Sequence, residues 1–239
     1  MKLVIGNLKM NLNQKEIEEY IAFFKNKKYS HAFFAPTYIY LKEFVDNGLN
    51  TVSQDISPYS KGAYTGDVSA NQLKSMGINY SIVGHSERRK NYADGMLVNE
   101  KLKRLLENDI NPILCIGEAF EERNNNTYLN VIKEEIDEAF KNIDTNKLKC
   151  VIIAYEPIWS ISTSGTGIVP TNEQISEISS FIKDYVQDKY SYTPKVLYGG
   201  SVNNINVDTL EEIGNIDGYL VGGCSLKIKE FNELIEKVK

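Results

Sequence analysis

Apolar residues in this chain gather in short continuous runs, separated by longer amphipathic stretches. Eight runs read as strands: "KLVIG" (2–6), "HAFFA" (31–35), "NTVSQD" (50–55), "YSIVGH" (80–85), "PILCIG" (112–117), "CVIIAYE" (150–156), "KVLYGG" (195–200) and "GYLVGG" (218–223). Most are unbroken apolar runs rather than alternations, the pattern of parallel strands buried on both faces. Between them, "NQKEIEEYIAFFKNKK", "NEKLKRLLEND", "TYLNVIKEEIDEAFKNI" and "TNEQISEISSFIKDYVQDKY" place apolar residues at helical spacing. Eight strand–helix units in 239 residues is about 30 residues per unit, the size of a βαβ repeat. An open doubly wound sheet would show a glycine-rich fingerprint after its first strand, and "GNLKMN" is not G-x-G-x-x-G. The pattern therefore predicts an α/β fold, a closed (β/α)8 barrel formed by residues 1–239 as a single domain.

Composition narrows the function classes. The chain is 42% hydrophobic and 25% charged, as expected of a soluble globular protein. The net charge is -5 and basic residues are spread along the chain, which argues against nucleic acid as a partner. An anionic small ligand stays open, because backbone N–H groups bind anions without net positive charge. Cys115, Cys150 and Cys224 are odd in number and lack C-x-x-C spacing, so neither a disulfide framework nor a zinc site is expected. The N-terminus has no signal-peptide core, and no run approaches the length that spans a membrane. A reduced, cytoplasmic setting is the expectation.

In a barrel of this kind the active site lies at the C-terminal ends of the strands. Asn7 and Lys9 follow the first run; His85, Ser86 and Glu87 the fourth; Cys115 and Glu118 the fifth; Glu156 the sixth. Gly199, Gly200 and Ser201 follow the seventh, and Gly222 and Gly223 the eighth. Taken singly, each has a structural reading. A lone Lys or Asn after a strand is a solvated loop residue, Glu-Pro is a turn, and "GHSERR" is a helix start capped by Ser86. His31, Cys150 and Cys224 are read as structural. Together on one rim, the polar residues make chemical sense. Lys9 supplies a fixed positive charge, and Glu156 is a candidate general base. The dipole at a helix start disfavours imidazolium, leaving His85 a neutral donor. "YGGSV" and "VGGCSL", with a helix start near Cys224–Ser225, offer backbone N–H groups to a phosphate. The set suggests proton transfer beside a carbonyl on a small phosphorylated substrate.

These motifs, in order, carry a close resemblance: "GNLKMN" (6–11), "FAPTYIYL" (34–41), "SKGAYTGDVS" (60–69), "IVGHSERR" (82–89), "CIGEAFEER" (115–123), "AYEPIW" (154–159), "LYGGSV" (197–202) and "DGYLVGGCSL" (217–226). Over essentially its whole length the sequence resembles the triosephosphate isomerase family, whose fold is the TIM barrel. The carboxylate base, neutral histidine and closing lid are that family's known arrangement, carried over to matching positions. The resemblance implies interconversion of D-glyceraldehyde 3-phosphate and dihydroxyacetone phosphate through an enediolate, in glycolysis and gluconeogenesis. It implies Lys9, His85, Glu156 and Glu87 as catalytic residues, Glu87 by positioning Lys9 and His85. Asn7, Lys9, Gly165, Ser201, Gly222 and Gly223 would bind substrate. Cys115 would be a packed thiol beside the site rather than a nucleophile. Thr65, in "KGAYTGD", would sit on a loop inserted into a partner subunit of a homodimer. No metal and no organic cofactor is implied. The enediolate is prone to lose phosphate, so the site must exclude water while it exists.

Three departures from the family pattern stand out. Leu8 replaces the tryptophan of "GNWKMN", a packing change. The segment after "SERR" is one residue shorter, which touches the helix after the fourth strand and the dimer contact. The third lies in the lid, Pro157, Ile158, Trp159, Ser162, Thr163, Ser164, Gly165, Thr166 and Gly167, where "EPIWSISTSGTGIVP" stands for "EPxWAIGTGKxA". Without a gap, Ser162 replaces the first lid glycine and Gly165 the lysine. With a three-residue insertion at 162–164, "GTG" (165–167) is intact and "PTNEQ" (170–174) falls in register with the usual helix start. The insertion is the preferred reading. It leaves Pro170 at the second hinge, where a proline has no N–H to give Tyr198. Three residues add at most roughly 10 Å of reach. The expectation is a working isomerase with altered lid behaviour. The alternative is an inactive barrel retained as a phosphometabolite-binding or surface protein; only the altered lid favours it.

Overall fold

A computed structural model of the chain describes residues 1–161 and 168–238. Among these, eight strands run parallel: β1 (Leu3–Asn7), β2 (Ala32–Ala35), β3 (Val52–Ser53), β4 (Tyr80–Val83), β5 (Asn111–Ile116), β6 (Ile152–Tyr155), β7 (Lys195–Tyr198) and β8 (Gly218–Val221). Their spatial order is β2-β1-β8-β7-β6-β5-β4-β3. The ring closes between β2 and β3 through one parallel bridge, Phe34 to Thr51, where the Phe34 N–H donates to the Asn50 carbonyl at 2.8 Å. The expected (β/α)8 TIM barrel is therefore present as a single domain.

Outside the strands pack α1 (Gln14–Phe24), α2 (Leu41–Asp46), α3 (Ala70–Ser75), α4 (Ser86–Tyr92), α5 (Val98–Glu107), α6 (Phe120–Asn124), α7 (Tyr128–Phe140), α8 (Thr145–Leu148), α9 (Asn172–Tyr190), α10 (Val207–Leu210) and α11 (Ile228–Lys237). The four amphipathic segments are α1, α5, α7 and α9. Two of them begin on capping boxes. Asn13 and Glu16 exchange side-chain-to-backbone bonds at α1, and Thr171 and Gln174 do so at α9.

Strands are apolar throughout because they serve two cores. Ile5, Ile113, Ala154, Leu197 and Leu220 fill the barrel interior, with Ala35, Val52 and Ile82. Their neighbours Val4, Leu114, Ile153, Val196 and Tyr219 face the helices and join a second, larger cluster. Each buried aliphatic side chain in these layers contributes about 1.5–3 kcal/mol. Leu8, in place of the family's tryptophan, is fully buried in the outer layer.

The third run is shorter as a strand than its sequence suggests. The apolar pattern predicts 50–55, but only Val52 and Ser53 pair with β4. Beyond Ser53 the chain leaves the ladder. Gln54 Nε2 donates to the carbonyls of Lys9 at 2.9 Å and Ala35 at 2.8 Å. The carboxylate of Asp55 accepts from Lys101 Nζ at 2.7 Å.

Candidate active site

The C-terminal ends of β1, β4, β6, β7 and β8 surround a pocket of about 210 Å³. Asn7, Lys9, His85, Glu156, Ser201 and Gly222 all line it, as do Gly199, Gly200 and Gly223. Residues far apart in sequence thus meet at one place.

Glu156 comes directly after β6 and is 2% exposed. Its main chain is pinned, since its N–H donates to the Ile116 carbonyl at 2.8 Å. Gly117 packs flat on it; a Cβ there would lie 1.8 Å from the Glu156 carbonyl oxygen, so a side chain is excluded. The carboxylate faces two donors. Oε1 lies 3.2 Å from His85 Nε2, and Oε2 accepts the Ser86 N–H at 3.4 Å.

His85 is the N-cap of α4, and its Nδ1 accepts the Glu87 N–H at 3.2 Å. A ring that accepts at Nδ1 carries its proton on Nε2 and is neutral. Its one N–H therefore points at Glu156 and the pocket.

Lys9 has φ of 50°, the left-handed region a non-glycine residue rarely adopts. Three contacts hold it there. Its N–H donates to Asn7 Oδ1 at 3.0 Å, its carbonyl accepts from Gln54, and Nζ binds Glu87 Oε1 at 2.6 Å. Glu87 thereby connects the ammonium to the element that carries His85. Asn7 is itself held by Ser225 Oγ, which donates to the Asn7 carbonyl at 3.1 Å.

Beside these groups lie the turns after β7 and β8; a Cβ on Gly199 would lie 2.8 Å from Glu156 Cγ, and one on Gly222 3.5 Å from Lys9 Cε. The helix start expected near Cys224–Ser225 is a single 3-10 turn over Gly223–Leu226, one residue earlier. Ser225 N–H donates to the Gly222 carbonyl within it. Ser201, Gly222 and Gly223 line the pocket together with Glu156.

Behind the base lies a layer of buried contacts. Glu118 is fully buried, and its Oε1 accepts from both Tyr155 Oη at 3.0 Å and Trp159 Nε1 at 2.9 Å. Burial pushes its carboxyl above the usual range, against those hydrogen bonds. Glu118 thus anchors Trp159 in the 3-10 turn Ile158–Ser160 that comes after Pro157. Arg89 donates to the carbonyls of Gly84 at 2.7 Å and Cys115 at 3.2 Å, and pairs with Glu135 at 3.3 Å. Cys115 is buried, and burial, then the nearby Glu156 carboxylate, push its thiol up. Gln54, which holds the Lys9 backbone, is a further site residue that the sequence reading leaves out. It lies at the polar end of the third apolar run, the same signal that marks Asn7, His85 and Glu156.

Residues 162–167, which hold lid positions Ser162, Thr163, Ser164, Gly165, Thr166 and Gly167, lie outside the described residues. Thr65 is exposed on the loop between β3 and α3, away from the pocket. His31 is half-buried beside the Ile235 carbonyl, Cys150 is exposed, Cys224 is buried, and all three cysteines are free. Among the described residues, no group of three or more His, Cys, Asp or Glu is placed to hold a metal ion. Nor is any of their helices long and apolar enough to cross a membrane.

The sequence matches the family described as triosephosphate isomerase over residues 2–238. A triosephosphate isomerase of Francisella tularensis subsp. mediasiatica (strain FSC147) is 36% identical over 247 aligned positions, which cover 99% of this chain and 96% of that protein. The triosephosphate isomerase of Mycoplasmopsis pulmonis (strain UAB CTIP) is 40% identical over 251 positions, covering 98% of this chain and 96% of that protein.

Proposed function

The chain belongs to the triosephosphate isomerase family, and from that premise we propose that Glu156, His85 and Lys9 carry the proton transfers that interconvert D-glyceraldehyde 3-phosphate and dihydroxyacetone phosphate. Substrate enters between Glu156 and His85 and replaces their mutual contact. Glu156 takes the proton from the carbon beside the carbonyl. The His85 Nε2–H donates to the carbonyl oxygen, and the neutral ring then shuttles a proton between the two oxygens. Lys9 stabilises negative charge on the enediolate, held in place by Glu87. Glu156 returns its proton to the adjacent carbon. Asn7 and the N–H groups of Ser201, Gly222 and Gly223 hold the substrate, with Gly165 as the N–H from the lid. The observation that carries this reading is the convergence of Lys9, His85 and Glu156, from three different strand ends, on one pocket.

The same reading extends to a cytoplasmic homodimer working in glycolysis and gluconeogenesis. Met10, Ile39 and Met96 are 91%, 77% and 93% exposed. A groove of about 280 Å³ between Tyr38, Tyr59, Arg88 and Tyr92 lies near the loop that carries Thr65. The groove beside that loop supports a partner subunit there, with Thr65 reaching toward the partner's site. The capping box at Thr171 supports the three-residue insertion at 162–164, because it starts α9 where that alignment puts it.

A coupled assay with D-glyceraldehyde 3-phosphate tests the reading. The expected result is turnover, inhibited by 2-phosphoglycolate, an enediolate mimic. No turnover and no stabilisation by 2-phosphoglycolate would leave the alternative, a binding or surface barrel.

A further inference from the structure

Glu135 lies on α7, outside the barrel, yet its carboxylate reaches the end of β5. Its Oε2 accepts the Gly117 N–H at 2.8 Å, and its Oε1 lies 3.3 Å from Arg89 Nη1. Burial pushes the carboxyl up, while Arg89 and the Gly117 N–H, the two groups it touches, act in the opposite sense. Neither Glu135 nor Arg89 lines the pocket.

Both of its contacts bear on groups that do line the pocket. Gly117 packs so tightly on Glu156 that a Cβ would meet the Glu156 carbonyl oxygen at 1.8 Å and its carbon at 2.6 Å. The two main chains touch, so a shift of Gly117 is passed on to Glu156. Arg89 ties the same region to His85, since it donates to the carbonyls of Cys115 and of Gly84, the residue before His85. Gly84 has φ of 73°, and a Cβ there would lie 3.0 Å from Arg89 Nη2. A space of only about 10 Å³ remains between Arg89, Cys115, Gly117, Glu135 and Glu156. No side chain fits in it, so these contacts have little slack.

We propose that Glu135 is a positioning residue, which sets the 3.2 Å separation of Glu156 and His85 by holding the Gly117 main chain against that of Glu156. This rests on the isomerase reading of the same pocket. The Gly117 hydrogen bond carries the effect, and Arg89 steadies the carboxylate from its other side. Glu135 touches neither the substrate nor the reacting atoms. Losing the bond leaves the substrate contacts in place and puts Glu156 out of line with the carbon-bound proton. The cost therefore falls on kcat rather than on KM.

The test uses Glu135→Asp and Glu135→Gln in the full-length protein. Aspartate keeps the charge beside Arg89 but is one methylene too short for the Gly117 N–H. Glutamine gives up the charge and keeps an acceptor within reach of it. Glu135→Asp is expected to lower kcat for D-glyceraldehyde 3-phosphate by about tenfold to a hundredfold. KM, and the binding of inorganic phosphate, should change by less than about twofold. Glu135→Gln should cost less than about threefold in kcat, as a neutral hydrogen bond replaces a charge-assisted one. Amide hydrogen exchange at Gly117 and Glu156 should speed up in Glu135→Asp and stay near the wild-type rate in Glu135→Gln. The reverse order, with glutamine costly and aspartate mild, would mean that the ion pair with Arg89 matters instead and would overturn the proposal. A loss that falls on KM, or one that tracks a fall in thermal midpoint in both variants, would also overturn it. Each of these results leaves the isomerase reading intact, whereas absence of turnover in the wild type would overturn both.

Discussion

At the residue scale, a few side chains are held in states that water would not give them. His85 is fixed as the Nε2–H tautomer because Nδ1 is occupied by the Glu87 N–H. Lys9 stays in a left-handed backbone conformation because Asn7, Gln54 and Glu87 each hold one end of it. Lys101 shows the same logic away from the pocket. It is 1% exposed, and its Nζ donates to Asp55 at 2.7 Å and Asp94 at 2.5 Å. Burial raises the Asp55 carboxyl, and the charge of Lys101 opposes that rise. Lys101→Met would leave the two buried carboxylates with Arg88, 3.0 Å from Asp55 and 3.5 Å from Asp94, as their remaining cation, and breaking such a group typically costs about 3–5 kcal/mol. Urea unfolding is expected to show a loss of that size, part of it recovered by adding Asp94→Asn. A loss below about 1 kcal/mol would mean that water reaches the pair.

At the element scale, legibility depends on how local each signal is. A strand buried on both faces announces itself as an apolar run, so all eight are readable. The polar residue that ends a strand is adjacent to it in sequence, so Asn7, His85, Glu156 and Ser201 are readable too. The length of β3 is not, because Gln54 and Asp55 leave the ladder for partners in Lys9, Ala35 and Lys101. No local pattern carries that information. Glu118 with Trp159 and Arg89 with Glu135 are illegible for the same reason, since each pair spans separate elements. The lid belongs to this scale as well. Loop entropy changes little with three added residues, so the proposed insertion acts through the geometry of closure. Deleting residues 162–164 is expected to change turnover and the fraction of enediolate lost by phosphate elimination, measured as product ratio. Unchanged values for both would show that the extra residues play no part in closure.

At the scale of the whole molecule, the barrel turns separate strand ends into one chemical set. The closed sheet holds β1, β4 and β6 in fixed relation, so an ammonium, an imidazole and a carboxylate line one small pocket together with Ser201, Gly222 and Gly223. Two cores, inside and outside the sheet, make that relation stiff. Under the proposed roles, three groups and a phosphate anchor suffice for moving a proton between neighbouring carbons, provided Glu156 is the base. General bases contribute about 10²–10⁴-fold to rate. The decisive measurement is therefore the exchange of the carbon-bound hydrogen of dihydroxyacetone phosphate with deuterated solvent, monitored by NMR in wild-type and Glu156→Gln protein. Exchange should accompany isomerisation in the wild type, and both should fall together by at least about 10²-fold in the variant. Exchange or isomerisation that persists in Glu156→Gln would contradict the assignment of Glu156 as the base.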